Sequence, residues 1–133
     1  MSKPLSDNTT NRPISPHLTI YRPQLNSVLS IMHRITGIML IFGILLVVGW
    51  FLCLSLGEIS FQVYSWWLNT LIGKLIMFGS LCALWYHFFA GIRHLFWDLG
   101  IGFNLSTVQR SSYAVLLGTG FVIILSLILD FVT

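Results

Sequence analysis

ITGIMLIFGILLVVGWFLCLSLG, residues 35–57, decides the fold class. It runs for about 23 residues without a charged side chain, which is long enough for a helix to cross roughly 30 Å of hydrocarbon. A second apolar stretch runs from Leu68 to Ile92, interrupted only by Lys74, and a third from Ser111 to about Leu129. Glu58 and Asp130 end the first and third. Arg93, His94 and Asp98 close the second. Lys74 lies near enough to one end to reach back to the headgroups.

The composition agrees. Of 133 residues, 56% are hydrophobic and 8% are charged, whereas a soluble domain carries about 25% charged residues. So few charges cannot clothe a water-facing surface. The expected fold is all-α, an integral membrane bundle of three transmembrane helices spanning about 29–57, 66–95 and 111–130. Ser27 or Ser30 is the expected cap of the first, and Trp66 and Trp67 read as an interfacial pair before the second. Gly118 and Ser126 are close-contact points on a third helix that carries no chemistry. Cys53 and Cys82 read as small buried hydrophobes.

Residues 1–26 form a polar arm, and residues 27–133 form the membrane domain. All the prolines, Pro4, Pro13, Pro16 and Pro23, lie in the arm, so it is expected to be extended and docked on a partner. It has neither the apolar core of a signal peptide nor the Arg-rich character of a transit peptide, which points to a bacterial inner membrane ahead of a mitochondrial one. The net charge of +3 is scattered along span flanks, so nucleic acid is not an expected partner and membrane lipid is. With three spans, Lys3, Arg12, Arg22, Arg34, Arg93 and Arg110 share one side, while Lys74 is alone on the other. The N-terminus is therefore expected in the cytoplasm, or in the matrix of a mitochondrion.

Ionisable residues at membrane depth are costly and are functional candidates. His87 lies inside the second span, in WYHFFAG, with no acid near it in sequence. A neutral imidazole there can ligate heme iron or hydrogen-bond to a neighbouring helix. Gly91, one turn on, leaves room for a flat macrocycle. His94 lies about 10 Å from His87 along the helix axis, whereas axial nitrogens are only about 4 Å apart across an iron. One helix therefore cannot supply both ligands, and the second comes from His33 or from another subunit. Ser30, Arg34 and Gly37 share a helical stripe. A hydroxyl, a fixed charge and a gap suit a heme propionate or a quinone carbonyl; equally, Arg34 is an interfacial anchor and Ser30 a cap. Arg93, Asp98 and His17 carry structural or docking readings.

Two stretches carry a resemblance. RPISPHLTIYRPQLNSVLSIMHRITG, residues 12–37, resembles an RP-x-SPHL-x-x-Y arm followed by S-x-x-HR-x-TG. HFFAGIRHLFWDLG, residues 87–100, resembles H-x-x-x-G-x-RH-x-x-x-D-x-G. Both signatures mark the cytochrome b subunits, the large membrane anchors, of succinate dehydrogenase (succinate:ubiquinone oxidoreductase, complex II). The resemblance covers essentially the whole chain. It implies that His87 is an axial ligand of heme b and its iron, that Ser30 and Arg34 line a ubiquinone pocket, and that His33 and His94 lie near the heme propionates. It further implies a flavoprotein subunit, an iron–sulfur subunit on which the arm docks, and a second small membrane anchor that completes the bundle and supplies the other axial histidine. No catalytic residue is expected in this chain, which would act as an enzyme subunit without free-standing activity. A fumarate reductase anchor and a heme-free structural anchor are the alternatives. A transporter would need polar residues along a full path, and the outer half offers only Lys74.

Overall fold

The computed structural model describes residues 21–132, all-α apart from short connections. Residues 1–20 of the arm, including His17, lie outside the described residues. The helices are α1 (Leu25–Leu56), α2 (Glu58–Asn69), α3 (Leu71–Asp98) and α4 (Leu105–Val132). Among the described residues α1, α3 and α4 are long and apolar enough to cross a membrane.

α1 starts earlier than expected, directly after Pro23, with Gln24 as an extended N-cap that makes no side-chain bond. Ser27 and Ser30 therefore lie inside the first turns and do not cap the helix. The Ser27 hydroxyl instead meets the Tyr21 hydroxyl at 3.3 Å. α1 stops at Gly57, whose φ of 112° is a conformation that side-chain-bearing residues rarely adopt.

The second span differs from the expected one. Trp66 and Trp67 belong to the separate helix α2, and α3 begins only at Leu71. Thr70 makes the break. Its extended backbone ends α2, and its Oγ1 donates to the Trp67 carbonyl at 2.6 Å and accepts from the Gly73 N–H at 3.2 Å. A Cβ on Gly73 would stand 2.5 Å from that same carbonyl, so the corner needs glycine. α2 packs on α1, where the Tyr64 hydroxyl donates to the Leu46 carbonyl at 2.8 Å and Phe61 meets Trp50 edge-on. α4 likewise begins before the expected Ser111, at Leu105, once Gly100 and Gly102 have turned the chain through positive φ.

α3 is central and packs against both α1 and α4. The seam with α1 is close: Gly43 faces Ser80, and Gly37 faces His87. The seam with α4 sets Phe89 against Gly118, as expected of a close-contact glycine. The Ser126 hydroxyl donates back to the Val122 carbonyl of its own helix at 2.8 Å. Leu29, Tyr86, Ala90 and Val115 form a small buried cluster at one end of the bundle. Most other apolar side chains point outward; Ile38, Phe42 and Leu45 of α1 are 61%, 62% and 60% exposed. Such a surface is stable in hydrocarbon and not in water.

Candidate functional site

The start of α1, the end of α3 and the start of α4 meet at one end of the bundle, and the polar residues converge there. The Tyr86 hydroxyl donates to the Leu29 carbonyl at 2.8 Å, in the interior. Arg93 is 5% exposed, and its partners come from three elements. Nη1 donates to Ser112 Oγ of α4 at 2.9 Å, Nη2 donates to Asn26 Oδ1 of α1 at 2.9 Å, and the guanidinium lies 4.4 Å from the Trp97 ring centroid. Arg93 thus ties three helix ends together, a role of the structural kind expected of it, through Asn26 and Ser112 rather than through Asp98. Neither partner stands out in the sequence, because a lone Asn and a lone Ser carry no signal until the helices are packed.

The three described histidines form a file. The His33 ring stacks on His87, with centroids 4.2 Å apart and planes inclined at 29°. It also meets His94 edge-on at 4.7 Å, and His94 in turn lies against Trp97 at 5.2 Å. Gly91 faces His33: a Cβ there would stand 3.9 Å from His33 Nε2. That Nε2 is buried and has no hydrogen-bond partner among the described residues.

His87 Nδ1 lies 3.1 Å from the His33 carbonyl oxygen and 3.4 Å from Thr36 Oγ1. A carbonyl only accepts, so the proton sits on Nδ1 and the lone pair on Nε2. This is the arrangement in which a metal-ligating histidine is usually held: one ring N–H on a backbone oxygen, the other nitrogen free to ligate. Gly37 makes the approach possible, since a Cβ there would stand 3.1 Å from His87 Cε1. The gap that sequence spacing offered to a ligand head beside Arg34 is therefore filled by the His87 ring.

Two axial imidazoles on one iron have ring centroids about 6 Å apart, from metal–nitrogen bonds near 2 Å and the ring radius. At 4.2 and 4.7 Å, His33 is too close to both of its neighbours to share an iron with either. Towards His87 it also presents a ring face, whereas lone pairs lie in the ring plane. Among the described residues, then, His87 alone has a ring nitrogen held by a backbone oxygen with the other left to ligate, and His33 is not placed to share a metal with it.

Ser30 and Arg34 keep each other company at the rim. Arg34 Nη2 reaches Ser30 Oγ at 3.4 Å, and Nε reaches the Ser30 carbonyl at 3.4 Å. Both contacts are long, and Arg34 is exposed, so among the described residues its guanidinium keeps donors free for an oxygen-bearing ligand.

Comparison with known proteins finds a family and relatives for this chain. The family described as succinate dehydrogenase/fumarate reductase transmembrane subunit matches residues 8–127. The succinate dehydrogenase cytochrome b556 subunit of Paracoccus denitrificans is 42% identical over 125 residues, spanning 94% of this chain and 96% of its own. The subunit of the same name from Rickettsia bellii (strain RML369-C) is 37% identical over 117 residues, 88% of this chain and 91% of its own. The succinate dehydrogenase cytochrome b560 subunit of Marchantia polymorpha is 41% identical over 127 residues, 89% and 90% of the two chains.

Proposed function

Because this chain belongs to the succinate dehydrogenase/fumarate reductase transmembrane subunit family, we propose that it is the heme b-bearing membrane anchor of a succinate:ubiquinone oxidoreductase. It is a subunit of an enzyme complex, and its relatives are named as cytochrome b subunits of succinate dehydrogenase, which implies heme. Those names favour the succinate-oxidising direction over fumarate reduction and a heme-bearing anchor over a purely structural one. The heme b assignment rests on one observation: the His87 Nδ1–H is held by the His33 carbonyl, which leaves Nε2 as the ligating atom. His33 Nε2, buried and unpartnered, suits a propionate oxygen, with His94 beside it. Bound heme supplies one-electron redox chemistry. The protein's part is to orient His87, exclude water and present charge at the rim.

Ser30 and Arg34 are the ubiquinone contacts in this reading. Arg34 donates to a carbonyl oxygen that gains negative charge on reduction, and Ser30 orients the ring. The second axial histidine comes from a second, smaller anchor, which also covers part of the exposed apolar surface. The arm that precedes α1 docks on the iron–sulfur subunit, and the flavoprotein subunit that oxidises succinate lies beyond it. Arg22, Arg34, Arg93 and Arg110 sit towards the end of the bundle that holds the histidines, and Lys74 towards the other, so the histidine end faces the cytoplasm, in a bacterial inner membrane. In a mitochondrion it faces the matrix. The test is His87→Ala in the purified complex. Loss of the low-spin bis-histidine spectrum, with succinate oxidation by a soluble dye preserved, is the expected result; an unchanged spectrum rejects the assignment.

A further inference from the structure

Thr36 is 4% exposed, and its neighbours leave its hydroxyl little freedom. Oγ1 donates to the Met32 carbonyl at 2.8 Å, with the His33 carbonyl also within reach at 3.0 Å. That uses its single proton and leaves a lone pair, and His87 Nδ1 stands 3.4 Å away. The Nδ1–H of His87 therefore has two acceptors on α1: the His33 carbonyl at 3.1 Å and the Thr36 hydroxyl. The adjoining Gly37 gives the ring its space.

We propose that Thr36 is a positioning residue for His87: its hydroxyl shares the Nδ1–H, fixing the ring's rotation and making Nε2 a stronger electron donor. The proposal rests on His87 being the axial ligand. Acceptors on the distal N–H raise the basicity of the ligating nitrogen, and a more basic ligand stabilises the oxidised iron. A backbone carbonyl cannot be removed by substitution. The hydroxyl can, so Thr36 is where the sequence is able to tune this bond.

The experiment is a redox titration of the heme spectrum in the purified complex for Thr36→Val, Thr36→Ser and Thr36→Ala. Val keeps the shape and removes only the hydroxyl. The midpoint is expected to rise, with the ratio of reduced to oxidised heme at fixed ambient potential increasing about threefold, as for loss of the weaker of two hydrogen bonds. Ser, which keeps Oγ, should hold the wild-type midpoint, and Ala should match Val. Equal midpoints in Ser and Ala, at full heme content, overturn the proposal. Should Val fail to assemble, the Ser and Ala pair decides in the same way. His87→Ala run in parallel separates the two claims. If it loses the low-spin spectrum while Thr36→Val titrates as wild type, only the role of Thr36 is rejected. If it keeps the spectrum, the ligand assignment falls, and the Thr36 proposal with it.

Discussion

The His87 side chain of α3 bonds at 3.1 Å to the backbone carbonyl of His33 in α1, not to the His33 ring. The ring is merely stacked on it, at 4.2 Å between centroids. The orientation of His87 therefore depends on where α1 runs and hardly at all on which side chain position 33 carries. His33→Ala should keep the low-spin bis-histidine spectrum. It should weaken heme retention by about tenfold or less, the loss of one hydrogen bond to a propionate. Electron paramagnetic resonance of the purified variant checks this; conversion to a high-spin signal would mean that the His33 ring itself ligates.

Gly37 and Gly43 lie on the same seam between α1 and α3 but differ in tolerance. A Cβ at position 37 would press on His87 Cε1 at 3.1 Å, while one at position 43 would meet Ser80 Cβ at an ordinary 3.5 Å. Gly37→Ala should displace the ring and lower heme occupancy in the assembled complex. Gly43→Ala should leave occupancy unchanged, and the better helix former offsets any small crowding. Heme-to-protein ratios of the two variants make the comparison, and equal occupancy would contradict the close fit of Gly37 to the His87 ring.

Arg93 holds Asn26 and Ser112 together from a position 5% exposed. Ser112→Ala leaves a buried guanidinium N–H without an acceptor, at a cost of about 1–3 kcal/mol. Arg93→Met removes both bridges and the contact with Trp97, and should cost more. Arg93→Lys should rescue only in part, because a point-like ammonium cannot span two acceptors on different helices while lying on an indole. Thermal unfolding of the complex, followed by anchor dissociation, should rank the variants Met, then Lys, with Ser112→Ala the mildest.

The spans were legible because an uncharged run as long as hydrocarbon is thick suits a lipid-facing helix, whereas a helix on a water-facing surface carries charges along one side. The start of the second was not. Trp66, Trp67 and Leu68 are as apolar as the helix that follows, and the corner depends on Thr70 and on Gly73, which sits in the unremarkable run LIGKL. Residue chemistry alone identified the histidines, and topology alone put them at one end. Their stacking was hidden, and so were the partners of Arg93, which lie 67 and 19 residues away in sequence. In the sequence Gly37 reads as space for a ligand beside Arg34. A glycine announces a close approach without saying from which side, and the visitor is His87.

The proposed quinone contacts, Ser30 and Arg34, offer a test that separates quinone reduction from succinate oxidation. Their mutual contacts are 3.4 Å long, weak, and on an exposed rim, so little folding energy depends on them. On the proposed quinone contacts, Ser30→Ala would remove one hydrogen bond to a neutral carbonyl, about 0.5–1.5 kcal/mol, and should weaken ubiquinone reduction up to about tenfold. Arg34→Leu would, on the same proposal, remove a charge-assisted contact that strengthens as the quinone gains charge, and should be the more severe. Succinate oxidation by a soluble dye should be spared in both, since that chemistry lies in other subunits. Because Arg34 stands one residue from His33, heme content must be shown to be intact before the rates are compared. With heme intact, wild-type quinone reductase rates and inhibitor sensitivity in both variants would place the quinone elsewhere, leaving Arg34 an interfacial anchor and Ser30 only its neighbour on the helix.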